Sequence, residues 1–390
     1  MAVSTEMSAE RQARAKEYAG IRRRLYFVRT VATFIVLALL IVTPLSKAVR
    51  TAIEDRGTNQ WLVVLIYMVI FGLVSEIVTF PLGVYSGWHL PRRYGLSHQS
   101  FASWLADLAK GSVIGGALGL GMIEMLYWGL RRLPDWWWLA GGAVYLLFSV
   151  VLSNLAPVLI MPLFNKFTPI EDETLRERML HLAERAGTRV RGVFTMDFSR
   201  RTSAANAFVA GIGSTRRIVL GDTLIANYTP EEVEVVMAHE LGHHVHGDIW
   251  RGMAFDTVVT LIGLFIANLL LHVGVDAFGY RSVSDVAAFP LFALILSGFG
   301  LVTMPLTNAY SRARERAADA YALTLTENAP AFVTAMQRLA NQNLAEMEPP
   351  RWVVLLFYSH PPLADRIQRG ETFATTRYHS SLPSKGRDEG

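Results

Sequence analysis

The chain contains no cysteine. Disulfide frameworks and Cys-ligated zinc are therefore excluded, and any metal site must be built from His, Asp and Glu. Charge is also scarce. Only 18% of the 390 residues are Asp, Glu, Lys or Arg, against about 25% in an ordinary soluble domain. The formal net charge is only +4, too little to point to nucleic acid as a partner. What the chain has instead is apolar residues, 52% of the total, with a mean hydropathy of +0.29. That balance excludes disorder, collagen and coiled coil. It places much of the chain in a lipid bilayer.

A bilayer core takes about 20 mostly apolar residues in helical form. Six windows meet or nearly meet that length: Thr30 to Ser46, Trp61 to Trp88, Gly111 to Leu130, Trp136 to Asn165, Thr257 to Val275 and Val286 to Ser311. Glu76 and Glu124 are the charges inside them, and intramembrane acids face a cavity or a partner. Gly111, Gly115 and Gly119 share a face suited to close helix packing. The Trp136-Trp137-Trp138 run reads as an interfacial aromatic belt. No cleavable signal peptide is evident, so the first helix reads as a retained anchor. Lys and Arg number ten in the N-terminal tail and second loop and six on the opposite side. That bias predicts a cytoplasmic N-terminus. Both large polar segments then lie on the cytoplasmic side and can form one domain. The expected organisation is a four-helix membrane region over 1–165, a cytoplasmic segment over 166–251, a transmembrane hairpin over 252–311, a second cytoplasmic part over 312–376 and a polar tail over 377–390.

The chemistry concentrates in PEEVEVVMAHELGHHVHG, Pro230 to Gly247. Thr229, Pro230 and Glu232 read as the N-cap, first and third positions of a helix, a capping box with Pro in its favoured place. Four helical residues rise about 6 Å and turn slightly more than once. His239 and His243 therefore project from one face and can hold the same ion. Glu240 lies beside the first ligand, the H-E-x-x-H arrangement in which Glu is the general base. His244 points off that face. The longer H-E-x-x-H-x-x-G-x-x-H form is excluded, because His246 stands at its Gly and Ile249 at its third His. The third ligand must come from elsewhere. Glu315 and Asp319, in SRARERAADAY after the last apolar window, are spaced i, i+4 and share a helix face. One can ligate the metal while the other accepts the free N–H of a ligating His. Alone, such a pair is an ordinary solvated face. Ser199 to Gly213 and Arg217 to Gly221 read as short strands, and an edge strand beside the helix could take a peptide by strand addition. His360, before two prolines, would by itself be structural.

Together these pieces resemble the type I CAAX prenyl proteases, integral-membrane zinc metalloproteases. The resemblance runs from about Leu65 to Arg366. It rests on FPLGVYSGWHLPRRYGLSHQSF (80–101), LAPVLIMPLFNKFTPIED (155–172), SRRTSAANAF (199–208), HELGHHVHGD (239–248), SRARERAADAYA (311–322) and YSHPPLADRI (358–367). HELGH alone is shared by many zinc peptidases; the order and spacing of six segments is far more specific. The resemblance implies a mainly α fold, a barrel of transmembrane helices around a chamber, with a cytoplasmic α+β gluzincin-like peptidase domain. It implies one Zn2+ per chain on His239, His243 and Glu315, with Glu240 as base and Asp319 supporting a ligand. Asn206 would hold substrate backbone, and His360 and Arg366 would face the transition-state oxygen. Eukaryotic members usually begin with an extra transmembrane helix, which this sequence lacks.

The leading expectation is thus a zinc metalloendopeptidase cleaving near the C-terminus of membrane-associated or prenylated peptides. Its partners would be those peptides and the lipid bilayer. Its place would be the inner membrane of a bacterium with the site facing the cytoplasm, or the endoplasmic reticulum membrane in a eukaryote. Two alternatives stand beside it: a general quality-control metalloprotease for membrane proteins, and a non-enzymatic zinc-binding scaffold or transporter. Glu240 argues against the last, since a structural zinc needs no base.

Overall fold

A computed structural model describes residues 7–211 and 216–381. The expected polar tail lies outside the described residues from 382 onward. Among the described residues, six helices are long and apolar enough to cross a membrane. The first, α1 (Ala9–Val42), begins well before its apolar window, because Ser8 caps it by accepting a hydrogen bond from the Arg11 backbone N–H at 3.2 Å. Short α2 (Leu45–Glu54) follows. Then comes α3 (Gln60–Val84), which runs through a π-helical turn into α4 (Leu90–Arg93). Next are α5 (Phe101–Arg132) and α6 (Trp137–Leu155), the latter extended by non-α turns to Leu163.

The polar segment opens on β1 (Phe167–Pro169), α7 (Glu173–Arg185), β2 (Val193–Met196), β3 (Ala207–Ala210) and β4 (Arg217–Gly221). Short α8 (Asp222–Ile225) leads to α9 (Pro230–Val245). The sheet order is β1-β2-β4-β3, with β2 and β4 parallel and the outer pairs antiparallel. Central β4 is the buried strand: Ile218, Val219 and Leu220 are fully enclosed. Its Ile218 and Leu220 join Val233, Met237 and Leu241 of α9 in the main core of this half. Two membrane helices follow, α10 (Asp248–Phe278) and α11 (Phe289–Thr326). The chain ends in α12 (Ala329–Gln342), α13 (Arg351–Phe357) and α14 (Leu363–Ser381).

Helix α11 does not stop at the end of its apolar window. Its 38 residues make a rod of about 57 Å, so one helix crosses the membrane region and carries Glu315 and Asp319 into the polar half. Two sequence expectations change in the membrane region. A Cβ built on Gly111, Gly115 or Gly119 meets nothing within 4 Å, so that face makes no close helix contact among the described residues. Tight approaches lie elsewhere, one of them at Gly263, where a Cβ would sit 2.7 Å from the Phe299 ring. The tryptophan run also divides. Trp136 is exposed, but Trp137 is buried, donates to Asn268 at 2.7 Å and meets the Phe292 ring edge-on. It anchors α6 to α10 and α11 instead of lying in a belt.

Candidate metal centre

The N-terminus of α9 forms as its sequence requires. The Glu232 N–H donates to the Thr229 hydroxyl at 3.3 Å, and the Glu232 carboxylate accepts from the Thr229 N–H at 2.9 Å. That box fixes where the helix starts, hence which face His239 and His243 occupy. Their rings lie 4.9 Å apart, perpendicular, with the two Nε2 atoms 3.3 Å apart. Gly242, between them on the chain, lets α11 come close. A Cβ there would stand 3.2 Å from the Ala318 Cα and from the Tyr321 ring. At that distance Glu315 reaches both histidines, 3.2 Å from His239 Nε2 and 3.5 Å from His243 Nε2.

The arrangement fits a metal ion on two counts. Bonds of about 2.0–2.2 Å in a tetrahedral site separate ligand atoms by about 3.3–3.6 Å, close to the spacings found here. In addition, Glu315 Oε2 is buried with His239 Nε2 at 3.2 Å as its contact and no well-directed hydrogen bond, an under-satisfied acceptor that a cation would satisfy. One ligand atom from each of His239, His243 and Glu315 lies within 4.8 Å of the others. Burial disfavours a charged His239, yet Asp319 and Glu315 outweigh it and push its pKa up to about 9. The same excess of negative potential favours a cation.

Each histidine has its own carboxylate behind it. His239 Nδ1 lies 2.9 Å from Asp319 Oδ1, and Asp319 is fully buried. His243 Nδ1 lies 2.8 Å from Asp248 Oδ2. Sequence reasoning missed Asp248. Its signal was Gly247, whose φ of 65° turns the chain between α9 and α10 in a conformation glycine adopts at little cost, and so brings the next residue back under the helix end. Such partners orient the ring and fix its tautomer. Asp248→Ala is expected to weaken metal binding about 10–100-fold. Competition with a chelator of known affinity measures it.

The remaining expected residues gather around one cavity of about 640 Å3, lined by Asn206, His239, Glu240, His360 and Arg366 among others. Burial raises the Glu240 pKa, against the pull of the neighbouring histidines. Asn206 precedes edge strand β3, and its carbonyl accepts from the Gly221 N–H at 2.9 Å. His360 Nε2 sits 3.2 Å from Glu315 Oε1. Its ring lines the cavity, where partial desolvation lowers its pKa from the ordinary imidazole value despite Glu315, although much of the side chain stays open to solvent. Arg366 is placed differently from the expectation that it faces a reacting oxygen. Its Nε and Nη2 grip the two Asp319 oxygens at 3.0 and 2.6 Å, with Nη2 also 3.4 Å from His239 Nδ1. His244 turns away to the Val209 carbonyl at 3.2 Å.

Comparison with known proteins agrees with this geometry. The family model described as "Peptidase family M48" matches residues 169–373. A second, "CAAX prenyl protease N-terminal, five membrane helices", matches 1–166; the described part of that range holds four helices of crossing length and the short α2. The uncharacterized metalloprotease YhfN of Bacillus subtilis is 32% identical over 361 residues, covering 92% of this chain and 84% of its own. The CAAX prenyl protease 1 homolog of Arabidopsis thaliana is 31% identical over 322 residues, covering 75% and 70%. The crystal structure of S. mikatae Ste24p superposes with a TM-score of 0.83 over 93% of this chain and 90% of that one, at 23% identity, and so shares the fold. The chain therefore belongs to peptidase family M48, and it is an integral, multi-pass membrane metalloendopeptidase.

Proposed function

We propose that the protein is a zinc endopeptidase that cleaves peptides near their C-terminus, prenylated or otherwise membrane-associated, from the cytoplasmic face. The observation that carries this reading is the His239–His243–Glu315 cluster, which reaches through His239 a cavity also lined by the membrane helix α1. An all-N/O set of two His and one Glu suits a catalytic zinc. Zinc held there supplies Lewis acidity, lowering the pKa of water and polarising a carbonyl. The domain boundaries and the cytoplasmic orientation expected from the sequence are part of the same proposal.

The protein's own groups do the rest. Glu240 takes the proton from the attacking water and can return it to the leaving amine. Substrate backbone lies along β3. Backbone groups alternate sides along a strand, and Asn206 bonds toward β4 while Val209 bonds outward to His244. Ala207, on the outward set and on the cavity wall, is left to pair with a peptide. Asn206, beside it, holds the same backbone. Past Tyr26 the cavity adjoins a second one of about 350 Å3 with Phe34, Leu301 and Met304 in its lining, a place for an apolar chain.

His360 donates to the oxygen that gains charge as the peptide carbonyl is attacked, while Arg366 acts through Asp319, holding it against His239. The two substitutions then differ. His360→Ala keeps its metal and loses about 10²-fold in turnover, the scale for one oxyanion donor. Arg366→Ala strands the buried Asp319 charge, so metal content and thermal stability fall together. Turnover, metal content and melting temperature of the two purified variants decide it. A stable, metal-loaded His360→Ala with near-normal turnover rejects the role given to His360.

Cleavage of a matched peptide pair, with and without a prenyl group, tests the substrate class. The prenylated peptide is expected to be cut with the lower KM. Equal kinetics for the pair would contradict it and favour general membrane-protein quality control.

A further inference from the structure

The cavity over the metal centre has a wall that the chemistry above does not use. Helix α1 contributes Ala19, Arg22, Arg23 and Tyr26, spaced so that they share one helix face. Most charges on this cavity are already matched. Arg23 pairs with Glu346 at 2.7 Å, and Arg366 is clamped to Asp319. Glu240 is assigned to proton transfer. Arg22 is left over. Among the described residues it forms no ion pair or hydrogen bond, and only lies over the Tyr18 ring at 5.6 Å. It is exposed and lines this cavity as well as a neighbouring one of about 440 Å3 that also holds Glu76, and it acts electrostatically on Tyr358, two residues before His360. Tyr26, one turn further along, meets the Phe357 ring edge-on at 5.2 Å. Arg22 is thus held on the same wall as the segment carrying His360.

A free guanidinium with five donors and no acceptor, set in a peptide-binding cavity, matches one chemical group above others. That group is a carboxylate, which it can bind in a bidentate manner. A peptide bound with its scissile bond at the metal has one carboxylate whatever its sequence, at its C-terminal end. We infer that Arg22 binds the free C-terminal carboxylate of the substrate, so that the enzyme locates its cut by the distance from the chain end. This rests on the endopeptidase reading above and adds to it the feature that selects the end of the chain. Helix α1 then both crosses the membrane and reads the substrate.

The test uses the full-length enzyme in detergent or liposomes, with one peptide made as the free acid and as the C-terminal amide. Wild type is expected to show a KM for the amide about 10–100-fold higher, the scale for losing one charge-assisted pair. Arg22→Gln raises the KM of the acid to that of the amide and leaves turnover of the amide unchanged, which shows that the variant is folded and metal-loaded. Arg24→Gln removes the same charge outside the cavity lining and keeps the preference for the acid. Wild type cutting acid and amide equally well, or Arg22→Gln keeping the preference, overturns the carboxylate site while leaving the peptidase reading intact. Failure of wild type to cut either peptide overturns the peptidase reading and this inference with it.

Discussion

Glu240→Gln is expected to keep its metal and lose about 10²–10⁴-fold in peptide hydrolysis, the range for removing a general base. The amide matches the carboxylate in size, so α9 and the His239–His243 pair stay in place. None of the three candidate ligand atoms belongs to Glu240, which is why metal content is predicted not to change. What the amide cannot do is take a proton. Burial raises the Glu240 pKa against the pull of His239 and His243, and a raised pKa makes a carboxylate a better proton acceptor. Metal analysis beside a peptide-cleavage assay on the purified variant checks this. A metal-loaded Glu240→Gln with activity close to wild type would remove Glu240 from the chemistry.

Glu315→Ala is expected to have the opposite signature, loss of most of the metal and of activity with it. Glu315 is buried on α11 and faces both imidazoles. Without it two neutral donors remain, and the cavity loses the carboxylate that offsets a cation. Folding is read separately, because truncation also removes the contacts of Glu315 with His239, His243 and His360. Metal content measured on a sample with an unchanged melting temperature separates ligand loss from unfolding. Full occupancy in such a sample would show that another group is the third ligand.

The parts of this site that were legible in the sequence are those set by local helix geometry. Thr229, Pro230 and Glu232 fix where α9 begins, and a spacing of four fixes His239 beside His243. The i, i+4 spacing of Glu315 and Asp319 was equally readable, but it acquires meaning only through Gly242, where α11 approaches within contact of α9. What was not legible depends on contacts distant in sequence or on a turn. Asp248 reaches His243 because Gly247 reverses the chain in a left-handed conformation. Arg366 closes on Asp319, 47 residues away, and no local pattern predicts that choice of partner. Strands β1 and β2 are three and four residues long, too short to show an alternating pattern. In the membrane region, apolar windows located the six helices but not their faces. Lipid and protein neighbours are both apolar, so hydropathy could not tell that Trp137 turns inward or that Gly111, Gly115 and Gly119 make no close contact among the described residues.

We propose that one catalytic zinc, held by His239, His243 and Glu315, carries the chemistry. Its most direct test is the zinc content and peptide-cleaving activity of the purified protein before chelation, after it, and after zinc is returned. The expected result is close to one zinc per chain, loss of activity when it is stripped, and recovery in proportion to zinc restored. Undiminished peptide cleavage by the metal-free protein would contradict it.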